Sequence, residues 1–143
     1  MKIKAYGICL YKIDKFSTKL LLCKSITSNE RWGFLKGGEE EGETKIQTAL
    51  REFEEESNIK VSPVYLEKYF EQINTEKDIG IYLVNYDKIN NIEKYFIDDK
   101  LLSSNLSWEN SSVKFFDIKS LPLIKKKQQK IMLEIVQYFK KGS

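Results

Sequence analysis

Histidine is absent from all 143 residues. Its absence excludes a Ser-His-Asp triad, an imidazole general base and any zinc site that depends on imidazole, so metal binding and acid–base work fall to carboxylates. Arginine is nearly absent too: Arg31 and Arg51 are the only two, and the other positive charges are lysines. There are two cysteines, Cys9 and Cys23, each inside an apolar run of strand character. Two buried free thiols in a reducing, cytoplasmic setting are therefore expected rather than a disulfide framework. No stretch approaches the roughly 18 consecutive apolar residues of a membrane span. The first residues alternate instead of running apolar as a signal region does, so a soluble protein without a membrane partner is expected. The net charge of +3 says little by itself about partners.

What the chain does have is material for a core, with 41% apolar and 13% aromatic residues. Residues 5–11 and 20–24 read as strands joined through a polar loop, an antiparallel pair. Residues 32–35 form a short apolar piece running into Lys36-Gly37-Gly38 and the acidic stretch 39–43. Thr44 with Gln47 three residues on reads as a capping box. Ile46, Ala49, Leu50 and Phe53 follow at helical spacing, and Asn58 suits the left-handed position that ends a helix. Residues 64–73 and 79–86 read as a second hairpin, 87–112 carry no clear period, and 113–117 read as a strand. Ile131, Ile135, Val136 and Phe139 make the apolar stripe of a last helix, with lysines opposite. No linker or repeat divides the chain, which reads as one mixed α/β domain over residues 1–143.

Glutamate is unevenly placed: eight of the 15 lie between Glu39 and Glu56. Glu52, Glu55 and Glu56 are spaced i, i+3, i+4, which puts three carboxylates within an arc of about 100° on one helix face. Like charges so placed repel, and near the second half of a helix they also oppose its dipole. A hard divalent cation is the natural compensator, because Mg²⁺ takes oxygen ligands and usually shares them with a substrate phosphate. Lys36-Gly37-Gly38 supplies a side-chain cation and a backbone free to approach a phosphate or offer a carbonyl to the metal.

Gly37, five residues, Glu43, seven residues, then Arg51-Glu52-Phe53-Glu54-Glu55-Glu56-Ser57-Asn58-Ile59 resembles the Nudix box. Eight of nine specified positions match, the departure being Asn58 in place of glycine. Reckoned from this chain's own composition, such a match would arise by accident with a chance of about 10⁻⁶. The flanks, Trp32-Gly33-Phe34-Leu35 before the box and Val113 to Asp117 with Leu121-Pro122 after it, are also similar to the family.

The resemblance implies a Nudix-like α/β/α sandwich with a mixed central sheet and the box helix packed on it. It implies Glu52, Glu55 and Glu56 as metal ligands, the Gly37 carbonyl as a further one, and Mg²⁺ as the cofactor with Mn²⁺ as a substitute. Arg51 and Glu43 would hold the loop and helix in register. The implied reaction is water attack on a phosphorus of a nucleoside polyphosphate, with Glu109 or Glu52 as the base. Lys36 before the box glycine, Tyr82 in Ile79-Gly80-Ile81-Tyr82-Leu83, and Leu106-Ser107-Trp108-Glu109-Asn110 look like the diadenosine tetraphosphate hydrolase group. Leu35 replaces that group's proline and Asn110 its histidine. Lys36 and Tyr82 would then bind substrate, the tyrosine by stacking a base; each also reads as an ordinary turn or sheet residue. A triphosphorylated RNA 5′ end, held with the help of Lys125, Lys126, Lys127 and Lys130, and nucleoside triphosphates are alternative substrates. A nucleotide-binding module without turnover is the alternative of another class, although none of the box glutamates is missing.

Overall fold

The computed structural model describes residues 2–27 and 30–142. Its elements are β1 (Ile3–Ile13), β2 (Thr18–Ser25), β3 (Leu35–Gly38), α1 (Lys45–Ser57), β4 (Tyr69–Gln72), β5 (Lys77–Asn85), β6 (Phe96–Ile97), β7 (Lys100–Leu101), β8 (Asn110–Asp117) and α2 (Gln129–Lys141). The strands form one mixed sheet in the order β4-β5-β1-β2-β8-β7-β6, with β3 paired to β1 off that path. β1 and β5 run parallel and the other pairs antiparallel.

Alternation along the strands gives each sheet face its own core. Tyr6, Ile8, Leu10 and Leu21 face α1 and pack with Ala49 and Phe53. Cys9, Leu20, Leu22, Ile79, Ile81 and Leu83 face the other way and pack with Ile131, Met132, Ile135 and Val136 of α2. The result is the expected α/β/α arrangement. Phe53 is fully buried, a side-chain burial worth about 1.5–3 kcal/mol. Both thiols are buried and free.

One irregularity shapes the rest. β1 pairs with β2 only near its end, at Tyr11 to Ile13, whereas its residues Ala5 to Ile8 pair with β3. Cys23 of β2 bridges Gly33 just before β3. The segment 33–38 is therefore wedged between two neighbouring strands, and α1 lies over the wedge.

The helix starts at the expected capping box: Gln47 N–H donates to Thr44 Oγ1 at 3.1 Å and Thr44 N–H to Gln47 Oε1 at 2.9 Å. It ends at Asn58 in the left-handed region, φ 56°. Ile46, expected on the apolar face, is exposed, because it lies in the first turn beyond the sheet's cover. The strand expected over 64–73 is shorter. Pro63 fixes a 3₁₀ turn, Pro63–Tyr65, and regular pairing starts only at Tyr69. Within 87–112, short 3₁₀ turns and a two-strand hairpin appear, the latter turning at Asp98 and Asp99, which both have positive φ. Lys125 to Lys127 precede α2 rather than lying on it, since Lys126–Gln128 is a 3₁₀ turn. Among the described residues no helix is long and apolar enough to cross a membrane.

Candidate active site

Gly37 and α1 make the closest approach in the wedge. A Cβ built on Gly37 would fall inside the Glu52 carboxylate, so only glycine leaves room for that side chain to lie against the β3 backbone. Glu52 and Glu56 are one helical turn apart. Burial raises the affinity of Glu52 for its proton, and the bond from Arg51 opposes that rise.

Glu56 is the more unusual group. Its Oε1 accepts from Asn110 Nδ2 at 3.1 Å and lies 3.9 Å from Cys23 Sγ, while its Oε2 is buried without a hydrogen-bond partner. Burial, only partly offset by the bond from Asn110, pushes its pKa up to about 7. A buried carboxylate oxygen with no donor is costly unless something positive meets it.

Arg51 fixes the surroundings. Its Nε and Nη2 grip Glu43 at 2.7 and 3.0 Å, Nη2 also donates to the Gly38 carbonyl at 3.0 Å, and Nη1 reaches Glu52 at 2.8 Å and Glu55 at 3.2 Å. Glu43 further accepts from Thr48 Oγ1 and the Glu40 N–H, both at 2.8 Å. With the Arg51 bond as the main cause, its pKa falls to about 2. The bidentate fork ties the 39–43 loop to the helix and to β3 at once. A lysine cannot reproduce a fork. Arg51→Lys is therefore expected to keep the fold and to lower kcat or divalent-metal affinity by about 10–100-fold, measured by steady-state kinetics and Mn²⁺ titration.

The structure brings some of the candidate residues together and leaves others apart. Glu109 is exposed and lies within electrostatic range of both Glu52 and Glu56. Glu55, whose side chain is 56% exposed, turns to Arg51. Among the described residues no three acidic or cysteine side chains converge as a ready-made cage. Lys36 points to the sheet face away from α1. Burial, then Lys77 and Lys125, pull its pKa down to about 8. Tyr82 stands with Tyr69, rings 4.7 Å apart, and with Tyr6 on the α1 side of the sheet, where Lys45 covers Tyr6 and Tyr69. Trp32 is buried, as core.

The donor set suits a hard divalent cation. Its oxygens are all carboxylate or carbonyl, one of them is buried and without a partner, and the glycine cradle sets another carboxylate beside the backbone. Sequence reasoning missed the role of Asn110, which lies 54 residues from Glu56 and meets it only because β8 pairs with β2. No local spacing signals such a contact.

The chain belongs to the NUDIX domain family, which matches residues 1–139. It is accordingly a hydrolase acting on pyrophosphate bonds, in a family that generally uses divalent metal ions and acts on nucleotide-derived substrates. Its fold is similar to that of a C. elegans Ap4A hydrolase in a binary complex, at 22% identity over 82% of this chain and 81% of that one, with a TM-score of 0.58. It is also similar to a MutT NUDIX hydrolase from Burkholderia pseudomallei, at 18% identity, 94% and 97% coverage and a TM-score of 0.63. A UDP-X diphosphatase matches at 18% identity, 99% and 64% coverage and a TM-score of 0.65. No curated protein matches the chain.

Proposed function

We propose that the chain, one domain working in the cytoplasm, is a Mg²⁺-dependent pyrophosphohydrolase that cleaves dinucleoside polyphosphates of the diadenosine tetraphosphate type. The observation that carries the metal site is the buried, partnerless Oε2 of Glu56 beside a Glu52 carboxylate seated on Gly37. Glu52, Glu55, Glu56 and the Gly37 carbonyl would hold Mg²⁺, or Mn²⁺ in its place; Glu55 joins them by leaving Arg51. When bound, the cation supplies positive charge to the phosphate oxygens as negative charge builds up on them.

The residues of the chain do the rest. A water oxygen bonds to a phosphorus, the anhydride P–O bond breaks, and the leaving phosphate takes the electron pair. The water's proton passes to Glu109, whose exposed carboxylate lies where a water can reach it, or to Glu52. Lys36 binds phosphate. Tyr82 lies in the tyrosine cluster that would stack a base, a contact worth about 1–3 kcal/mol. The likeness to Ap4A hydrolase supports this substrate class through fold, and Lys36 and Tyr82 support it through motif.

A substrate panel tests the reading. Diadenosine tetraphosphate, triphosphorylated RNA, the common nucleoside triphosphates and ADP-ribose are incubated with Mg²⁺ and the products identified. Diadenosine tetraphosphate should be cut asymmetrically with the highest kcat/KM; faster turnover of RNA ends or triphosphates would reassign the substrate. In the same assay Glu109→Gln should lower kcat by about 10²–10⁴-fold with little change in KM. A wild-type rate would give the base role to Glu52.

A further inference from the structure

Tyr6, Tyr69 and Tyr82 share the α1 side of the sheet with a carboxylate and an amine that the cleavage chemistry does not use, Glu71 and Lys45. Strand register aligns them. Gly37 of β3 lies opposite Tyr6 of β1, Tyr6 beside Gly80 of β5, and Gly80 opposite Glu71 of β4. A row of cross-strand neighbours therefore runs over four strands from the glycine that seats Glu52 to Glu71, three strand spacings or about 14 Å. An extended nucleotide covers that span. Tyr69 and Tyr82 face each other two residues along the same strands, rings 4.7 Å apart. In the middle of the row Gly80 has no side chain, and the Tyr69 hydroxyl and the Tyr6 ring take the space that one would need. The floor between the carboxylates and Glu71 is thus aromatic.

Lys45, at the start of α1, covers that floor. Its Nζ stands 5.9 Å from the centre of the Tyr6 ring and 5.3 Å from that of Tyr69. The same amine is 3.7 Å from Glu71 Oε2, which also accepts from the Tyr69 hydroxyl at 2.9 Å. Both contacts use Oε2, which leaves Oε1 for a further donor. The lysine side chain is 52% exposed and its ion pair is long, so little holds it in place. It sets an N–H donor over aromatic faces and against a carboxylate. A nucleobase with an exocyclic amino group offers both features in one rigid plane, a ring for the tyrosine faces and N–H donors for Glu71.

We propose that Glu71 is a specificity-determining residue that accepts a hydrogen bond from the exocyclic amino group of the substrate's base, and that Lys45 holds this position until the base displaces it. This rests on the reading of the carboxylate cluster as the cleavage site and of Tyr82 and its neighbours as the surface that stacks a base. An ionised carboxylate accepts and cannot donate, so a base with a carbonyl oxygen at that place is turned away.

The test uses the full chain as wild type, Glu71→Gln and Glu71→Leu. Adenosine 5′-monophosphate and purine riboside 5′-monophosphate are titrated calorimetrically with Mg²⁺ present. These ligands differ only in the amino group, and neither has an anhydride bond to cleave. Wild type should bind the adenosine ligand about tenfold more tightly than the other. The preference should vanish in Glu71→Leu and be partly kept in Glu71→Gln, whose amide carbonyl still accepts, while purine riboside monophosphate binds all three forms alike. Equal affinity for the two ligands in wild type, or a preference kept in full by Glu71→Leu, overturns the proposal. So does an equal loss for both ligands in Glu71→Leu, which would mark a structural residue. If the preference depends on Glu71 while diadenosine tetraphosphate is not hydrolysed, the amino-group site stands and the dinucleoside reading fails. If diadenosine tetraphosphate is hydrolysed and Glu71→Leu keeps the preference, the reverse holds.

Discussion

Replacing Glu56 with glutamine is expected to abolish metal-dependent hydrolysis while making the metal-free protein more stable at neutral pH. The substitution keeps the shape and removes the charge. Glu56 has a buried oxygen with no partner and a pKa pushed up to about 7. A carboxyl whose pKa is higher folded than unfolded binds its proton more tightly in the folded state, so ionising it costs stability. For the metal-free wild type that cost is absent below about pH 4.5 and grows as the pH rises through about 7. At 1.36 kcal/mol per unit it amounts to roughly 3 kcal/mol. Thermal melts in chelator across this range should show a falling wild-type curve and a flatter one for Glu56→Gln. Losing a ligand to a cation worth several kcal/mol in the transition state should lower kcat by about a thousandfold or more. A variant that is both more stable and inactive would separate a functional carboxylate from a structural one.

Gly37→Ala should give the second large effect with little change in stability. The new methyl would occupy the place of the Glu52 carboxylate, which is the far end of a flexible side chain and can move. Gly37 does not have the positive φ that would strain an alanine, so folding tolerates the change and gains slightly from a stiffer unfolded chain. The displaced Glu52 no longer lies against the β3 backbone, and kcat should fall about 100-fold. Gly38→Ala is the control, since nothing lies within 4 Å of a Cβ there. Circular dichroism melts and steady-state kinetics on both variants make the comparison. Equal activity in the two would remove Gly37 from the site.

Much of this architecture was legible in the sequence because it is local. The capping box, the i, i+3, i+4 glutamates and the asparagine terminator are all set by the geometry of one helix, and each is where the spacing places it. The apolar alternation of β1 and β2 gave the pair that carries the wedge. What was hidden depends on contacts between distant segments. Asn110 reaches Glu56 through the pairing of β8 with β2. The spacing of the three glutamates also did not show that Arg51 holds two of them, Glu52 and Glu55, through one nitrogen. Residues 87–112 resisted reading because their order rests on 3₁₀ turns and a two-residue hairpin turn, which leave no periodic pattern.

Mn²⁺ titration followed by electron paramagnetic resonance, on wild type, Glu52→Gln and Glu56→Gln, bears most directly on the claim that these carboxylates hold the divalent ion. One site is expected in the wild type, weakened at least about tenfold in each variant. Equal affinity in all three proteins would show that the ion binds elsewhere and would contradict the account.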